Sequence, residues 1–171
     1  MSRPRRLSQA ISEGEGISLI VAVDGPEAAR AAEADGAEAV LVPRRDGVDE
    51  IRAATVLPIV RFLGDEHESG AEDACIVAAR EGDVVVSDEV ELIVSVAHED
   101  ELDEGLERFD PEVFVLASRN ADEPLQHVLD LLSDVPAGKL VIADTGGAIT
   151  QAERDELERA GIDAVLVRSS A

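Results

Sequence analysis

The sequence predicts a shortened (β/α)8 barrel, a closed ring of eight parallel strands whose third, fourth and eighth helices are reduced. The first observation is a motif written three times, as Gly36-Ala-Glu-Ala-Val-Leu-Val42, Gly70-Ala-Glu-Asp-Ala-Cys-Ile-Val77 and Gly161-Ile-Asp-Ala-Val-Leu-Val167. In the first and third copies an amphipathic run rich in Ala and Glu leads into the glycine, the residue that takes a left-handed C′ conformation without a Cβ clash. The acidic residue then suits a short loop, and the unbroken apolar run suits a strand buried on both faces. Second, such runs recur along the chain with helical patterns between them, the sign of stacked βα units. Third, 171 residues fall well short of the about 250 usual for such a barrel, so some helices must be trimmed. A flavodoxin-like open sheet is the runner-up, and it would need only five strands.

Residues 1–16 are polar and glycine-punctuated and read as an N-terminal arm or frayed helix, leaving 17–171 as a single barrel domain. Strand one is expected at 17–23, followed by a turn at Asp24-Gly-Pro-Glu27 with Pro26 opening a helix to about Ala34. Strand two spans 39–42, a short helix 48–54, strand three 57–63 and strand four 74–78. The acidic stretch 64–70 is too short for a helix with its loops. Val84-Val-Val86 reads as an extra strand or the remnant of a helical crossover. Strand five spans 92–96, a charged helix 98–108 and strand six 113–116. A helix at 124–132 puts Leu125, Val128, Leu129 and Leu132 on one face. Strand seven spans 140–143, and a helix at 149–160 carries Thr150 and Glu153 as a capping box. Strand eight spans 165–167.

Composition bounds the function. Apolar residues make up 45% of the chain, so it folds despite 31% charged residues. The net charge is −23, from 38 acidic against 15 basic residues, and Lys139 is the only lysine. Such a surface repels nucleic-acid phosphates and anionic lipid, so neither partner is expected. Acid excess with 2% aromatics resembles the proteome of a salt-in halophile, where the Debye length is roughly 3 Å at 1 M salt. An acidic protein of a moderate cytosol is the alternative. Cys75 is the single cysteine and lies in an apolar run, which reads as a buried structural thiol and fits a reducing, cytoplasmic setting. The basic start lacks the apolar stretch of a secretory signal, and no run reaches the ~20 residues of a membrane span.

No phosphate loop, nucleophile elbow or dinucleotide glycine fingerprint appears, and no cofactor is expected. His98, Glu99, Asp100 and Glu101 are consecutive on a helix and face different directions, so a solvated surface is the better reading than a cation site. His67 stands among Asp65, Glu66 and Glu68 without a second histidine at metal-ligand spacing. His127 reads as peripheral. No metal site is expected.

Leu92-Ile-Val-Ser-Val-Ala-His-Glu-Asp-Glu-Leu102, Ser118-Arg-Asn120, Asp144-Thr-Gly-Gly-Ala-Ile-Thr150 and Asp163-Ala-Val-Leu-Val-Arg-Ser-Ser170 mark strands five to eight. In that order they resemble segments of indole-3-glycerol-phosphate synthase, a ribulose-phosphate-binding barrel of tryptophan biosynthesis. Leu57-Pro-Ile-Val-Arg-Phe62 is similar to that family's third-strand segment, and the resemblance covers most of residues 17–170. The family carries its ring closure on lysines and glutamates at strand ends. Here Val21-Ala-Val-Asp-Gly25 has neither, Phe62 takes the strand-three lysine position, Ser95 the strand-five glutamate and Ala117 the strand-six asparagine. Lys139 precedes strand seven, on the face opposite an active site. The resemblance therefore implies a pseudoenzyme, a binding or regulatory module that has lost its catalysis.

The family also binds a substrate phosphate with the loops after strands seven and eight. Carried over, this implies a phosphate site at Arg119, Gly146, Gly147, Ser169 and Ser170, for a phosphorylated small molecule. Gly146-Gly147 reads equally as a strand-to-helix turn, and Ser169-Ser170 as a frayed end. Arg168, where the family has glycine, either adds charge for a phosphate or blocks the pocket. The alternative is an active phosphosugar-barrel lyase or isomerase of altered chemistry, with Asp24 and Asp144 as acid and base and Arg119 as anion clamp; Asp24 and Asp144 read otherwise as a helix cap and a turn residue. A further resemblance, to geranylgeranylglyceryl-phosphate synthase, rests on Arg61-Phe-Leu-Gly64 and lacks that family's strand-one and triple-glycine motifs. Trimmed helices also predict apolar flank that a second copy or a protein partner would cover.

Overall fold

The computed structural model describes residues 6–14, 16–43, 45–64, 68–80, 83–118 and 122–168. Eight parallel strands close on themselves: β1 (Ser18–Ala22), β2 (Ala39–Val42), β3 (Ile59–Phe62), β4 (Ala74–Ala78), β5 (Glu91–Val96), β6 (Val113–Ala117), β7 (Leu140–Asp144) and β8 (Ala164–Val167). Each pairs with its sequence neighbour, and β8 returns to β1 through Leu19↔Val165 and Val21↔Val167. Ile20, Leu41, Val60, Ile76, Ile93, Val115, Ile142 and Leu166 fill the interior. The alternate residues Cys75, Val77, Val94, Phe114, Leu116, Val141 and Val165 pack outward. Because both faces are buried, the strands read as continuous apolar runs.

Among the described residues six α-helices accompany the ring. They are α1 (Arg6–Glu13), α2 (Pro26–Ala34), α3 (Val48–Ala54), α4 (Glu99–Arg108), α5 (Pro124–Leu132) and α6 (Gln151–Ala160). Pro26 occupies the first turn of α2 behind an extended Gly25. Thr150 and Glu153 form the reciprocal capping box at α6. The first and third motif glycines do stop helices: Gly36 (φ 94) follows α2, and Gly161 (φ 101) caps α6. Gly70 lies outside any described helix, and its N–H donates to Glu72 Oε1 at 2.9 Å.

The polar first segment holds a helix with two buried anchors. Leu7 and Ile11, four residues apart on one face of α1, are 0% and 4% exposed and join the interior cluster. The α1 backbone N–H groups of Leu7 and Ser8 donate to Glu91 Oε1 at 3.0 and 3.2 Å, so a carboxylate at the start of β5 caps the helix. This end of the barrel, the N-terminal end of its strands, is thereby plugged.

Among the described residues the crossovers after β3 and β4 contain no α-helix, a stronger reduction than a shortened one; residues following β8 beyond Arg168 lie outside the description. Val85 is neither strand nor helix: it makes one parallel bridge to Glu68, and Ser69 N donates to its carbonyl at 2.8 Å. Val84 and Val86 pack on the outer core. Under these loops Arg61, pointing outward from β3, is 1% exposed beside Glu72 at 0%. Its Nε and Nη2 each lie 3.3 Å from a Glu72 oxygen, and Nη2 also donates to Glu68 O at 3.2 Å. A buried ion pair thus occupies space that a helix would have covered. Of the expected apolar flank the described residues show Val85, 66% exposed in the crossover after β4, with Val56 the other exposed large apolar side chain among them. Cys75 is fully buried near this pair, and its thiol is pushed up to about 12 by burial first and by Glu72 second.

The acidic residue of the repeated motif has a job the pattern did not announce. Asp73, just before β4, accepts from Ile59 N at 2.8 Å and from Arg52 Nη1 at 2.8 Å. Asp163, just before β8, accepts from Val141 N at 2.9 Å. Each carboxylate satisfies an N–H near the start of the preceding strand, which tightens the ring at its lower rim.

Two outcomes follow for stability. Arg61→Met leaves Glu72 charged and buried, and urea unfolding should show a loss of about 3–5 kcal/mol, whereas Arg61→Met with Glu72→Leu should recover most of it. Equal losses in both would show that packing, not charge, holds the flank. Partial burial raises the Asp163 carboxyl above its ordinary range against the opposing Val141 bond. A carboxyl raised in the folded state contributes stability below its unfolded pKa and loses it as pH rises through the folded one. Asp163→Asn keeps an oxygen acceptor without the charge, so at neutral pH it should be at least as stable as the native chain, with the difference shrinking in acid. Destabilisation at neutral pH would show that the charge strengthens the bond more than burial penalises it.

Candidate functional site

The opposite end of the barrel, where the strands finish, carries those of the predicted site positions that are described. Strand alternation turns Ala22, Phe62, Ala78, Ser95, Ala117 and Asp144 toward this mouth, in register as Ala78↔Ser95 and Ala117↔Asp144. Ala22 and Phe62 pack on the interior cluster. Phe62, Ser95 and Ala117, which the sequence resemblance sets against a lysine, a glutamate and an asparagine, place a phenyl ring, a hydroxyl and a methyl group at these strand ends.

Asp144 ends β7 and is 0% exposed. Its Oδ1 accepts from Gly146 N at 3.0 Å, its Oδ2 lies 3.2 Å from Arg168 Nη2, and its carbonyl accepts from Ser118 N at 2.9 Å. Gly146, at φ 90, adopts the left-handed conformation that folds its N–H back on Asp144. The Gly146 N–H is therefore spent inside the loop. Gly147 offers open space above its Cα, and its carbonyl accepts from Arg168 N at 3.3 Å. At the head of α6, Thr150 Oγ1 takes the Glu153 N–H and Glu153 Oε1 takes the Thr150 N–H, so this N-terminus is capped from within.

Arg168 is the feature that sequence reasoning left undecided. From the end of β8 its guanidinium carbon reaches to 5.5 Å from the ring centroid of Phe62 on β3, with β1 and β2 between them. That distance lies within cation–π range. The side chain is 26% exposed, yet its Nε is buried and has no acceptor among the described residues. Arg168 thus lies between Asp144 and the Phe62 ring at the strand ends.

The two carboxylates offered as an acid–base pair sit in different settings. Asp24 is exposed on the turn ahead of α2, where Gly25 is the N-cap, while Asp144 is fully buried. Arg119, Ser169 and Ser170 lie outside the described residues, as does His67 with Asp65 and Glu66. Asp100 and Glu104 bind Arg80 rather than grouping with His98, and no cluster of three or more metal-ligating side chains occurs among the described residues. Lys139 bonds Asp110 at 2.9 Å by the start of β7, on the plugged side.

Two features escaped the sequence. His127 Nε2 lies 2.6 Å from Ala97 O, and because a carbonyl only accepts, Nε2 carries the hydrogen; its ring meets that of His98 edge-on at 6.0 Å. Beside the mouth a recess of about 410 Å³ is lined by Glu123, Leu125, Thr145, Gly147, Ala148 and Glu153. Its two carboxylates make it a poor anion seat.

Arg168→Met should destabilise the fold by about 1–3 kcal/mol in urea unfolding, because it strips the guanidinium from a buried carboxylate. Combined with Asp144→Asn the loss should be less than additive, and strict additivity would show that the two side chains do not depend on each other.

No protein-family model and no curated protein matches the sequence. The fold is shared with solved structures. One is an N-acetylmannosamine-6-phosphate 2-epimerase from Clostridium perfringens, with a TM-score of 0.70 and 15% identity over 88% of this chain and 86% of that one. Another is a phosphoenolpyruvate phosphomutase from Streptomyces platensis subsp. rosaceus, with a TM-score of 0.62 and 16% identity over 94% and 79%. At such identities the likeness is one of architecture, and this chain is a (β/α)8 barrel.

Proposed function

We propose that this barrel is a non-catalytic relative of indole-3-glycerol-phosphate synthase that holds a phosphorylated small molecule at its mouth as a binding or regulatory module. The observation that carries the reading is Arg168, a guanidinium laid over Phe62 with a buried Nε and no described acceptor. The mouth positions that would bear catalytic lysine, glutamate and asparagine hold Phe62, Ser95 and Ala117. The motif resemblance supports a phosphate ligand, and two fold neighbours are named for phosphorylated small molecules. Arg119, Gly147, Ser169 and Ser170 are assigned to the same site, with Gly146 reduced to shaping the loop. The acidic surface and the single buried thiol suit a salt-rich cytosol.

The alternative is a lyase or isomerase using Asp24, Arg119 and Asp144. Burial of Asp144 at a strand end favours it. Against it, both Asp144 oxygens are engaged, one by Arg168 and one by Gly146. A base must have a lone pair within reach of substrate.

Thermal unfolding in concentrated potassium chloride, with and without a ribulose-type phosphate, tests the reading. A ligand at a hundredfold its Kd should stabilise the fold by about 2.7 kcal/mol, and Arg168→Met should abolish the shift. Turnover of the sugar phosphate that is lost in Asp144→Asn would favour the enzyme instead. A folded barrel with no shift would overturn both readings and direct the search to a protein partner or a second copy of the chain.

A further inference from the structure

Resting on that reading, we infer that Asp144 is a built-in competitor for the anion site. Its carboxylate occupies Arg168 in the free barrel, and an incoming anion takes the guanidinium from it. The Arg168 guanidinium then has two claimants, Asp144 and the anion. Asp144 Oδ2 lies 3.2 Å from Arg168 Nη2, longer than the about 2.7–2.9 Å of a strong charge-assisted bond. The contact is therefore one that an anion with better geometry can displace.

Each partner keeps another hold when the contact opens. Asp144 Oδ1 retains the Gly146 N–H at 3.0 Å, so the carboxylate stays seated at the end of β7. Arg168 retains the Phe62 ring at 5.5 Å and the backbone bond from its N–H to Gly147 O at 3.3 Å, so the guanidinium stays over the mouth. Its buried Nε supplies a donor that Asp144 does not use. The exchange needs only a small movement of one side chain. Binding is weaker than the guanidinium alone would give, because the anion meets a fixed negative charge that it must displace or sit beside. Asp144 thus sets the affinity of the site without touching the ligand, and discriminates against anions too weak to win the exchange.

Inorganic phosphate is the probe, titrated at constant ionic strength against the folded native chain and two variants. Asp144→Asn keeps an oxygen for Gly146 and removes the charge; Glu123→Gln removes a charge from the neighbouring recess without contacting Arg168. Asp144→Asn should tighten phosphate binding at least tenfold, and Glu123→Gln less than twofold. Native binding that is unchanged or weakened in Asp144→Asn, or tightened equally in both variants, would overturn the inference and leave the anion-site reading standing. Absence of phosphate binding in both the native chain and folded Asp144→Asn would overturn both. If Asp144→Asn does not fold, nitrogen NMR of the native chain decides. The Arg168 Nε resonance should shift with phosphate while the Gly146 N–H stays put, and a stationary Arg168 resonance would overturn the exchange.

Discussion

Closing a ring of parallel strands removes every strand edge and at the same time gives each strand two faces that must leave water. In this chain the inner face is easily satisfied, because Ile20, Leu41, Val60, Ile76, Ile93, Val115, Ile142 and Leu166 interdigitate. The outer face is the demanding one, since among the described residues crossovers three and four carry no α-helix. The solutions are local. Val84 and Val86 lie back on the core, and the Arg61–Glu72 pair sits beneath a loop whose backbone helps hold it. A buried ion pair costs more desolvation than an apolar filler would, so its benefit here is directional: it fixes one loop path over β3 and β4.

The mouth obeys the same economy of parts. Asp144 shapes the loop through Gly146, neutralises Arg168 and receives the Ser118 N–H on its carbonyl, so one residue joins β6, β7 and β8. Phe62, on the far side of the ring, supplies the surface on which Arg168 rests.

Much of the architecture was legible because two periodicities were clean. The helices at Pro26, Val48, Pro124 and Gln151 and all eight strands stand within a few residues of their expected bounds, and the Thr150 capping box is present as written. The first segment stays open between an arm and a frayed helix in sequence because its anchors, Leu7 and Ile11, are only two residues in a polar stretch, and their burial depends on a cavity that exists only once the ring closes. Gly36 and Gly161 were legible as helix stops because an amphipathic run leads into each of them. The site was harder still. Arg168 and Phe62 are 106 positions apart and carry no shared motif, and their meeting is a property of barrel curvature. The charge pattern likewise hid which carboxylates are structural, because Asp73 and Asp163 look like ordinary loop acids until strand register places them against Ile59 and Val141.

The seat of α1 has a consequence for the order of assembly. The helix leaves the ribosome before any strand, yet its cap is Glu91, more than eighty residues downstream, and its two anchors need walls drawn from strands made later still. A segment of eight residues is too short to hold helical form alone in water. During synthesis it must wait as open chain, its two apolar side chains uncovered, until β5 and the returning strands give it a place. The first helix in the sequence is thus among the last pieces to be set, a stopper fitted after the vessel has been made.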